Sequence, residues 1–391
     1  MSETLKRVTV LGSTGSIGTQ ALDCIRRTEG VGCFAICATG ARAAQLNAQI
    51  REFAPKYVGV TRPECVGDIE VPPGCELVVS RDAGSALASL READVVVNGI
   101  SGFDGLKPLL AALDADKTVA LANKESIVCG GELVKRRTSE GLGRIVPVDS
   151  EQSAIFQCLQ ASGREGLSRL ILTASGGALR DYDDERLRHV TPAEALRHPN
   201  WRMGKKVTVD SASMFNKGLE LMEASYLFDV PGEKIDVLLH PQSIVHSMVE
   251  YQDGCILAQL SVPDMRLAIQ YGIMYPRRMS AVVERLDLAK AGELTFSRPT
   301  GRRYRALELA RGALREGAGA PIAYNAANEV AVEWFLAGRL AFIDIADVVG
   351  AVLEHGRVRG CAEDIDGIIE IDCAARAAAF AAAERISAGR R

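Results

Sequence analysis

The chain has 391 residues, too many for one ordinary hydrophobic core, so two or three domains are expected. A formal net charge of −4 at 47% hydrophobic and 25% charged residues argues against a general nucleic-acid or membrane-surface binder. Any anion must therefore be held by local placement of Lys, Arg and backbone N–H groups. The N-terminal residues lack the apolar run of a signal peptide, and no apolar stretch approaches membrane-span length; Arg376 and Glu384 break even the Ala-rich tail. The ten cysteines are scattered without a Cys-x-x-Cys pair, which reads as reduced thiols filling apolar space and implies a reducing, cytoplasmic compartment.

In chain order, β-branched runs alternate with helical patterns up to Asp149. Strands are expected at Val8–Leu11, Cys33–Ala38, Tyr57–Val60, Glu76–Val79, Val95–Asn98, Thr118–Leu121 and Arg144–Val148, with helices at Ile17–Arg27, Arg42–Phe53 and Leu106–Leu113 among them. That alternation predicts a doubly wound, Rossmann-like parallel sheet over 1–149. From 150 to 278 polar loops rich in Gly, Ser and Asn interrupt the pattern. Strands at Leu170–Leu172, Val237–Leu239 and Ile256–Leu260 have no clear crossover helix, so a central α+β domain carrying chemistry on its loops is expected. A connector over 279–302 leads to a C-terminal helical domain, 303–391, with helices at Ala306–Arg315, Ala323–Ala337, Ile343–His355 and Ala374–Ile386.

Gly12-Ser-Thr14-Gly15-Ser16-Ile17-Gly18 joins the first strand to the first helix. Glycines there let the backbone approach a pyrophosphate, whose charge the helix N-terminus meets. The spacing is G-x-x-G-x-x-G, so its position after the first strand carries the argument; a ligand-free βα turn is the competing reading. An NAD site usually ends its second strand on an acid that hydrogen-bonds the ribose 2′-hydroxyl. Here the chain reads Gly40-Ala41-Arg42. Arg42 can pair with a 2′-phosphate, which favours NADP, unless it is merely a solvated first-turn residue.

Asp149-Ser150-Glu151 follows a strand at the junction of the first two expected domains, where ligand sites gather. Carboxylates at i and i+2 of a strand end can point the same way and share one cation. Glu220, among apolar neighbours on a helical segment, is a third candidate. An all-oxygen set selects Mg²⁺ or Mn²⁺, with Co²⁺ a further option, over zinc. Taken singly, each acid also reads as an ordinary surface carboxylate. Nearby, Ser175-Gly176-Gly177, Ser211, Asn216 and Lys217 offer hydroxyl, amide, backbone and ammonium donors to an anionic substrate. Residues 197–207, with His198, Trp201, Met203 and Gly204, suit a lid that closes over a ligand, or a loop whose Trp201 packs on the core. His240 and His246, beside an apolar strand, read as satisfied core histidines.

With these strings in this order over the whole chain, and with Ala122-Asn123-Lys124-Glu125-Ser126 and Pro147-Val-Asp-Ser-Glu151 among them, the sequence resembles the 1-deoxy-D-xylulose 5-phosphate reductoisomerase family of the non-mevalonate isoprenoid pathway. The resemblance implies an NADPH- and divalent-metal-dependent rearrangement and reduction of that sugar phosphate to 2-C-methyl-D-erythritol 4-phosphate by a homodimer. It implies metal binding by Asp149, Glu151 and Glu220. Lys124, Ser150 and Glu151 would contact the substrate's backbone oxygens, and Ser175, His198, Ser211, Asn216 and Lys217 its phosphate. Trp201 would cover it. Thr14, Gly15, Ser16, Ile17, Asn123, Glu125 and Gly204 would contact NADPH, with Met203 near the nicotinamide. The chain departs from the family pattern at Ala41-Arg42, where relatives often carry Lys-Asn, and at Gln152, where many have His. The 2′-phosphate contact is thereby shifted by one residue onto Arg42, leaving Gly40 and Ala41 to contribute backbone. An ordinary NADP-dependent dehydrogenase without metal, or a non-catalytic NADPH sensor, are the other function classes the sequence allows.

Overall fold

The structure, a computed structural model, describes residues 5–198, 201, 203–354 and 362–389. Along the chain run β1 (Lys6–Leu11), α1 (Ser16–Arg27), β2 (Val31–Ala38), α2 (Ala43–Phe53), β3 (Tyr57–Val60), β4 (Glu76–Val79), α3 (Ala83–Ala88), β5 (Val95–Asn98), α4 (Leu106–Asp114), β6 (Thr118–Leu121), α5 (Lys124–Ser139) and β7 (Arg144–Pro147). Then follow α6 (Ser150–Ser162), β8 (Leu167–Ala174), α7 (Asp184–Leu187), α8 (Pro192–Ala195), α9 (Lys205–Ser213), α10 (Phe215–Phe228), β9 (Ile235–Leu239), β10 (Val245–Tyr251) and β11 (Ile256–Leu260). The last elements are α11 (Met265–Met274), α12 (Leu288–Ala291), α13 (Arg305–Glu316), α14 (Ala320–Leu336), α15 (Asp344–Glu354) and α16 (Ile365–Ala388).

All seven expected N-terminal strands form, in one parallel sheet of order β4-β3-β2-β1-β5-β6-β7. The order reverses beside β1, between β2 and β5, which is where a doubly wound sheet opens a crevice at its strand ends. The central strands are mostly apolar, as strands covered on both faces should be; β5, Val95–Asn98, is wholly buried. The second sheet has order β11-β10-β8-β9, with β10 antiparallel to both neighbours and β8 parallel to β9.

The chain forms two compact units. The first holds 1–126, 134–156 and 264–285, and the second holds 127–133, 157–263 and 286–391. Packing and sequence texture thus divide the chain differently at α11, which follows the second sheet in sequence but packs on α1 and β6 of the first unit. Ile269, Ile273 and Met274 join Ala21, Leu22, Ile25 and Ala120 in one core. Arg266 also pairs with Asp23 at 2.9 Å, and Gln270 donates to Thr28 Oγ1 at 2.9 Å. In the second unit α14 is the central helix of the C-terminal group, packed on α9, α10, α13, α15 and α16. Its pattern is buried almost all round, from Ala320 to Phe335.

The sequence texture missed α6, α9 and β10. Lys205–Ser213 is too polar to show an apolar stripe, and the stripe of Ser150–Ser162 is short, Ala154, Ile155, Cys158 and Leu159; both are helical. β10 carries His246 and Ser247 on its buried run, so it lacks a clean apolar signature. No helix among the described residues is long and apolar enough to cross a membrane. The nine described cysteines are free thiols, and burial pushes Cys24, Cys33 and Cys37 up to about 12.

Because Ile273 is buried in the first unit's core, Ile273→Ala is expected to cost about 2–4 kcal/mol in urea unfolding. A loss below about 0.5 kcal/mol would contradict the assignment of α11 to that core.

Candidate functional site

The nucleotide turn is built by its glycines. Gly12 has φ +74°, and a Cβ there would lie 2.8 Å from the Gly99 carbonyl oxygen. A Cβ on Gly18 would fall 2.2 Å from the Gly12 oxygen, so α1 can start this close to the turn only with glycine in its first turn. The backbone N–H groups of Gly12 and Ser13 both donate to the Cys37 carbonyl, and buried Gln49 donates to the Ser13 carbonyl at 2.8 Å. No side chain caps α1 and no acid sits in its first turn. An uncapped helix N-terminus without a competing carboxylate is suited to a pyrophosphate. Thr14, Gly15 and Ile17 are half-buried and Ser16 is exposed, as residues that line a groove should be.

Arg42 precedes α2 and folds back over this turn, its Nη1 donating to the Thr14 carbonyl at 2.9 Å. The residue is exposed, with this hydrogen bond tying its side chain to the turn. Gly40 has φ +88° and is packed against Cys65, while Ala41 is exposed, its N–H 3.4 Å from Thr39 Oγ1. At the end of β6, Asn123 caps α5 by accepting the Ser126 N–H at 3.1 Å. Its Nδ2 donates to the Gly102 carbonyl and to Glu125 Oε2, both at 2.9 Å. Asn123 and Glu125 thus lock the turn that delivers Lys124.

Each unit carries a buried lysine–carboxylate pair. In the first, Lys124, 7% exposed, lies with Nζ 2.5 Å from Asp149 Oδ2. Asp149 immediately precedes α6, and Glu151 lies in that helix's first turn, where Ser150 Oγ donates to its Oε2 at 2.5 Å. The two acids therefore straddle a helix start and are not successive members of one strand face. In the second unit, Lys217 and Glu220 stand one turn apart on α10, 4% and 1% exposed, and form an ion pair. Asn216 Nδ2 donates to the other oxygen of Glu220. Well-packed apolar residues in place of a buried ion pair are often neutral or stabilising by about 1–4 kcal/mol, so stability alone is a weak reason for such pairs. As ligands, Asp149, Glu151 and Glu220 offer oxygen atoms alone, a donor type that suits a hard divalent cation.

The phosphate candidates of the second unit gather at the end of β8 and around the α9–α10 joint. Gly176 and Gly177 have φ +81° and +69°. A Cβ on Gly177 would lie 2.7 Å from the Ser211 carbonyl oxygen, so the Ser175–Gly177 turn rests directly on α9. Ser175 Oγ accepts the Gly177 N–H at 3.2 Å and lies 3.1 Å from His198 Nε2. His198 Nδ1 accepts the Trp201 N–H at 2.9 Å, which makes Nε2 the protonated nitrogen of the neutral ring and the donor to Ser175. α9 ends at Met214 in the left-handed region, φ +66°, and α10 starts at the next residue. That single-residue turn links Ser211 on α9 to Asn216 and Lys217 in the first turn of α10.

Of the lid segment, Pro199, Asn200 and Arg202 lie outside the described residues, as does His355, the last residue of the third expected C-terminal helix. Trp201 stands 6.2 Å, centroid to centroid, from the His246 ring. Met203 is half-buried, and Gly204 precedes α9 in extended conformation. His240 is fully buried, with Nδ1 3.0 Å from the Thr295 carbonyl and Nε2 accepting from the Ile244 and Val245 N–H groups. His246 Nε2 is 2.7 Å from Ser261 Oγ. Both are satisfied core histidines, as the sequence suggested. Gln152 is buried in α6. The sequence reading passed over Arg180, whose charge acts on His198, and Asp210, buried beside Ser211. Both sit next to motif residues, and proximity to a motif was their only signal.

A nucleotide turn on a parallel sheet, two buried lysine–carboxylate pairs and a serine–histidine anion cradle define a nucleotide-dependent enzyme that acts on a phosphorylated substrate. Three family descriptions match the chain. They are 1-deoxy-D-xylulose 5-phosphate reductoisomerase over residues 8–131, its C-terminal domain over 145–228, and the DXP reductoisomerase C-terminal domain over 260–378. The 1-deoxy-D-xylulose 5-phosphate reductoisomerase of Heliobacterium modesticaldum is 48% identical over 391 residues, 99% of each chain. The Zymomonas mobilis enzyme solved with NADPH superposes with a TM-score of 0.88 at 39% identity, over 97% of this chain and 99% of that one. A DOX-P reductoisomerase solved with NADPH, fosmidomycin and magnesium gives 0.91 at 38% identity, covering 97% and 98%. The chain belongs to the 1-deoxy-D-xylulose 5-phosphate reductoisomerase family and is an NADP-dependent oxidoreductase.

Burial, with the Arg180 charge nearby, lowers His198 to about 4 from an ordinary 6.5. Above pH 6.5 the ring is neutral folded or unfolded. Between 6.5 and 4 the unfolded chain takes up a proton that the folded one refuses, so stability falls as pH falls through this window. NMR titration of ligand-free protein is expected to find His198 neutral down to pH 5; a midpoint above 6 would contradict this environment.

Proposed function

We propose that this chain performs the family reaction with the residues described above: NADPH- and divalent-metal-dependent rearrangement of 1-deoxy-D-xylulose 5-phosphate and reduction to 2-C-methyl-D-erythritol 4-phosphate, in isoprenoid precursor synthesis. The observation that carries this reading is the pair of buried lysines, Lys124 and Lys217, each set against an acid of the candidate ion site. A dehydrogenase that only passes hydride to an aldehyde has no need of them.

In this reading Asp149, Glu151 and Glu220 hold Mg²⁺ or Mn²⁺, each offering one carboxylate oxygen. The ion, when bound, supplies Lewis-acid polarisation of the substrate's adjacent carbonyl and hydroxyl oxygens. Lys124 adds a fixed positive charge at those oxygens, and Ser150 and Glu151 hydrogen-bond the substrate backbone. Ser175, His198, Ser211, Asn216 and Lys217 bind the phosphate. Neutral His198 serves there as an Nε2–H donor, and Lys217 supplies the charge. That grip, remote from the reacting carbons, orients the skeleton and retains fragments if carbon–carbon cleavage precedes rejoining. Trp201 covers the substrate and excludes water when the 197–207 lid closes. Thr14, Gly15, Ser16, Ile17, Asn123, Glu125 and Gly204 contact NADPH, and Met203 lies by the nicotinamide. Gly40, Ala41 and Arg42 form the 2′-phosphate end.

The division of labour follows the sequence: 1–149 for NADPH, 150–278 for metal and substrate, 279–302 as connector, and 303–391 as a helical scaffold. A homodimer in the cytoplasm is part of the same proposal. Two other readings, a metal-free NADP dehydrogenase and an NADPH sensor without turnover, fail to use the carboxylates, the phosphate donors or the lid.

NADPH oxidation is expected to require both the sugar phosphate and Mg²⁺ or Mn²⁺, and to stop in excess EDTA. Glu220→Gln is expected to lower kcat/KM about 100-fold or more, equivalent to roughly 2.7 kcal/mol of transition-state stabilisation. Full activity in either case would overturn the metal assignment. Arg42→Glu is expected to raise KM for NADPH roughly tenfold or more while sparing NADH, because it replaces a charge-assisted contact with repulsion. Equal effects on both nucleotides would remove Arg42 from the 2′-phosphate site.

A further inference from the structure

Asp210 is the acidic residue of α9, and no assigned role explains it. It sits one position before Ser211 and six after Gly204, where the lid segment enters the helix. It is 1% exposed. Its Oδ2 pairs with Lys206 Nζ at 2.8 Å on the same helix. Its Oδ1 accepts from Asn328 Nδ2 at 2.9 Å, 118 residues on, in the middle of α14. A carboxylate this deeply buried is costly unless paired and hydrogen-bonded, and here both oxygens are engaged.

The Asn328 amide shows which way the constraint runs. Among the described residues, its buried oxygen has no hydrogen-bond partner. Flipping the amide would set that oxygen against the Asp210 carboxylate, so the amide keeps its NH₂ on Asp210 and leaves its oxygen unsatisfied. A cost accepted at one end of a bond is reason to look for a use at the other. A second tie runs from α14 to α10, independent of the first. Tyr324 is fully buried, its hydroxyl donating to the Ala306 carbonyl at 3.1 Å, and a Cβ on Gly218 would lie 2.1 Å from that hydroxyl. The α10 backbone, between Lys217 and Glu220, thus presses directly on α14. α9 and α10 meet at one residue, Met214, so fixing both helices on α14 fixes Ser211 relative to Asn216 and Lys217.

We propose that Asp210, clamped between Lys206 and Asn328, is a positioning residue that holds α9 in register on α14 and thereby sets Ser211 for the substrate's phosphate. Asp210 does not touch substrate; it acts through Ser211 and through the helix on which the lid ends. The C-terminal helices thus reach into substrate recognition as well as stability. The inference rests on the reading of Ser211 as a phosphate donor.

The test uses the full-length enzyme with Mg²⁺ and NADPH, and measures KM for 1-deoxy-D-xylulose 5-phosphate, Ki for the phosphonate fosmidomycin, and Kd for NADPH. Asp210→Asn is expected to raise KM and Ki in parallel, roughly tenfold, with NADPH affinity within about twofold. Asn328→Ala, which removes only the distant donor, is expected to move the same two constants by roughly threefold. Combining Asp210→Asn with Asn328→Asp re-forms the bond with reversed polarity and is expected to recover much of the loss. A role in folding alone would lower the amount of active enzyme and leave KM and Ki of the folded fraction unchanged. Should Asp210→Asn not fold, Asn328→Ala decides. Ser211→Ala separates the two claims. If it weakens both constants while the Asp210 and Asn328 variants do not, the positioning role is overturned and the phosphate reading stands. If Ser211→Ala changes neither, the reading of Ser211 falls and the inference with it.

Discussion

Two lysines taken out of water, Lys124 and Lys217, set the terms for the rest of this protein. A buried ammonium must be paired, and each unit supplies its own acid: Asp149 for Lys124 and Glu220 for Lys217. The local structure on either side exists to hold those pairs. Asn123 and Glu125 fasten the turn before α5 that presents Lys124, and α10 spaces Lys217 and Glu220 by one turn so that they meet. In a chain with a net charge of −4, concentrated positive charge of this kind is how a sugar phosphate can be recognised without an overall basic surface.

The candidate anion sites use a second resource, backbone that approaches closely. Gly12 and Gly18 bring α1 onto its turn, and Gly177 lays the Ser175 turn on α9. These glycines do more than permit unusual dihedrals. In each case a methyl group would strike backbone atoms of the neighbouring element, so the substitution would move the donors themselves. His198 completes the second cradle as a neutral ring oriented by the Trp201 N–H, which couples the start of the lid segment to Ser175.

Stability and recognition share residues in the second unit. α14 is buried nearly all round, yet through Asn328 and Tyr324 it also touches the two helices that carry the proposed phosphate donors. A helix that looks like scaffold in sequence can thus carry geometric information to a site whose ligands it never contacts. Such precision is what remote binding groups need if they are to orient a reacting skeleton.

The sequence by itself determined the seven-stranded parallel sheet, because strand alternation and short apolar runs are local signals, and it marked the glycine turn, the acids and the proposed phosphate donors as candidates through their motifs. It also indicated that His240 and His246 belong to the core. It did not reveal that Glu151 stands in the first turn of a helix, since the short apolar stripe of Ser150–Ser162 begins only at Ala154 and Asp-Ser-Glu after a strand reads equally well as its continuation. Nor did it place α11 in the first unit's core, because Ile269, Ile273 and Met274 show that an apolar face exists without saying what covers it. Only the tertiary structure decided that Arg42 folds back onto Thr14, that Lys124 faces Asp149 from 25 positions away, and that Asp210 reaches Asn328. These are long-range pairings of polar groups. Their partners are fixed by how helices pack, and no periodicity along the chain encodes that.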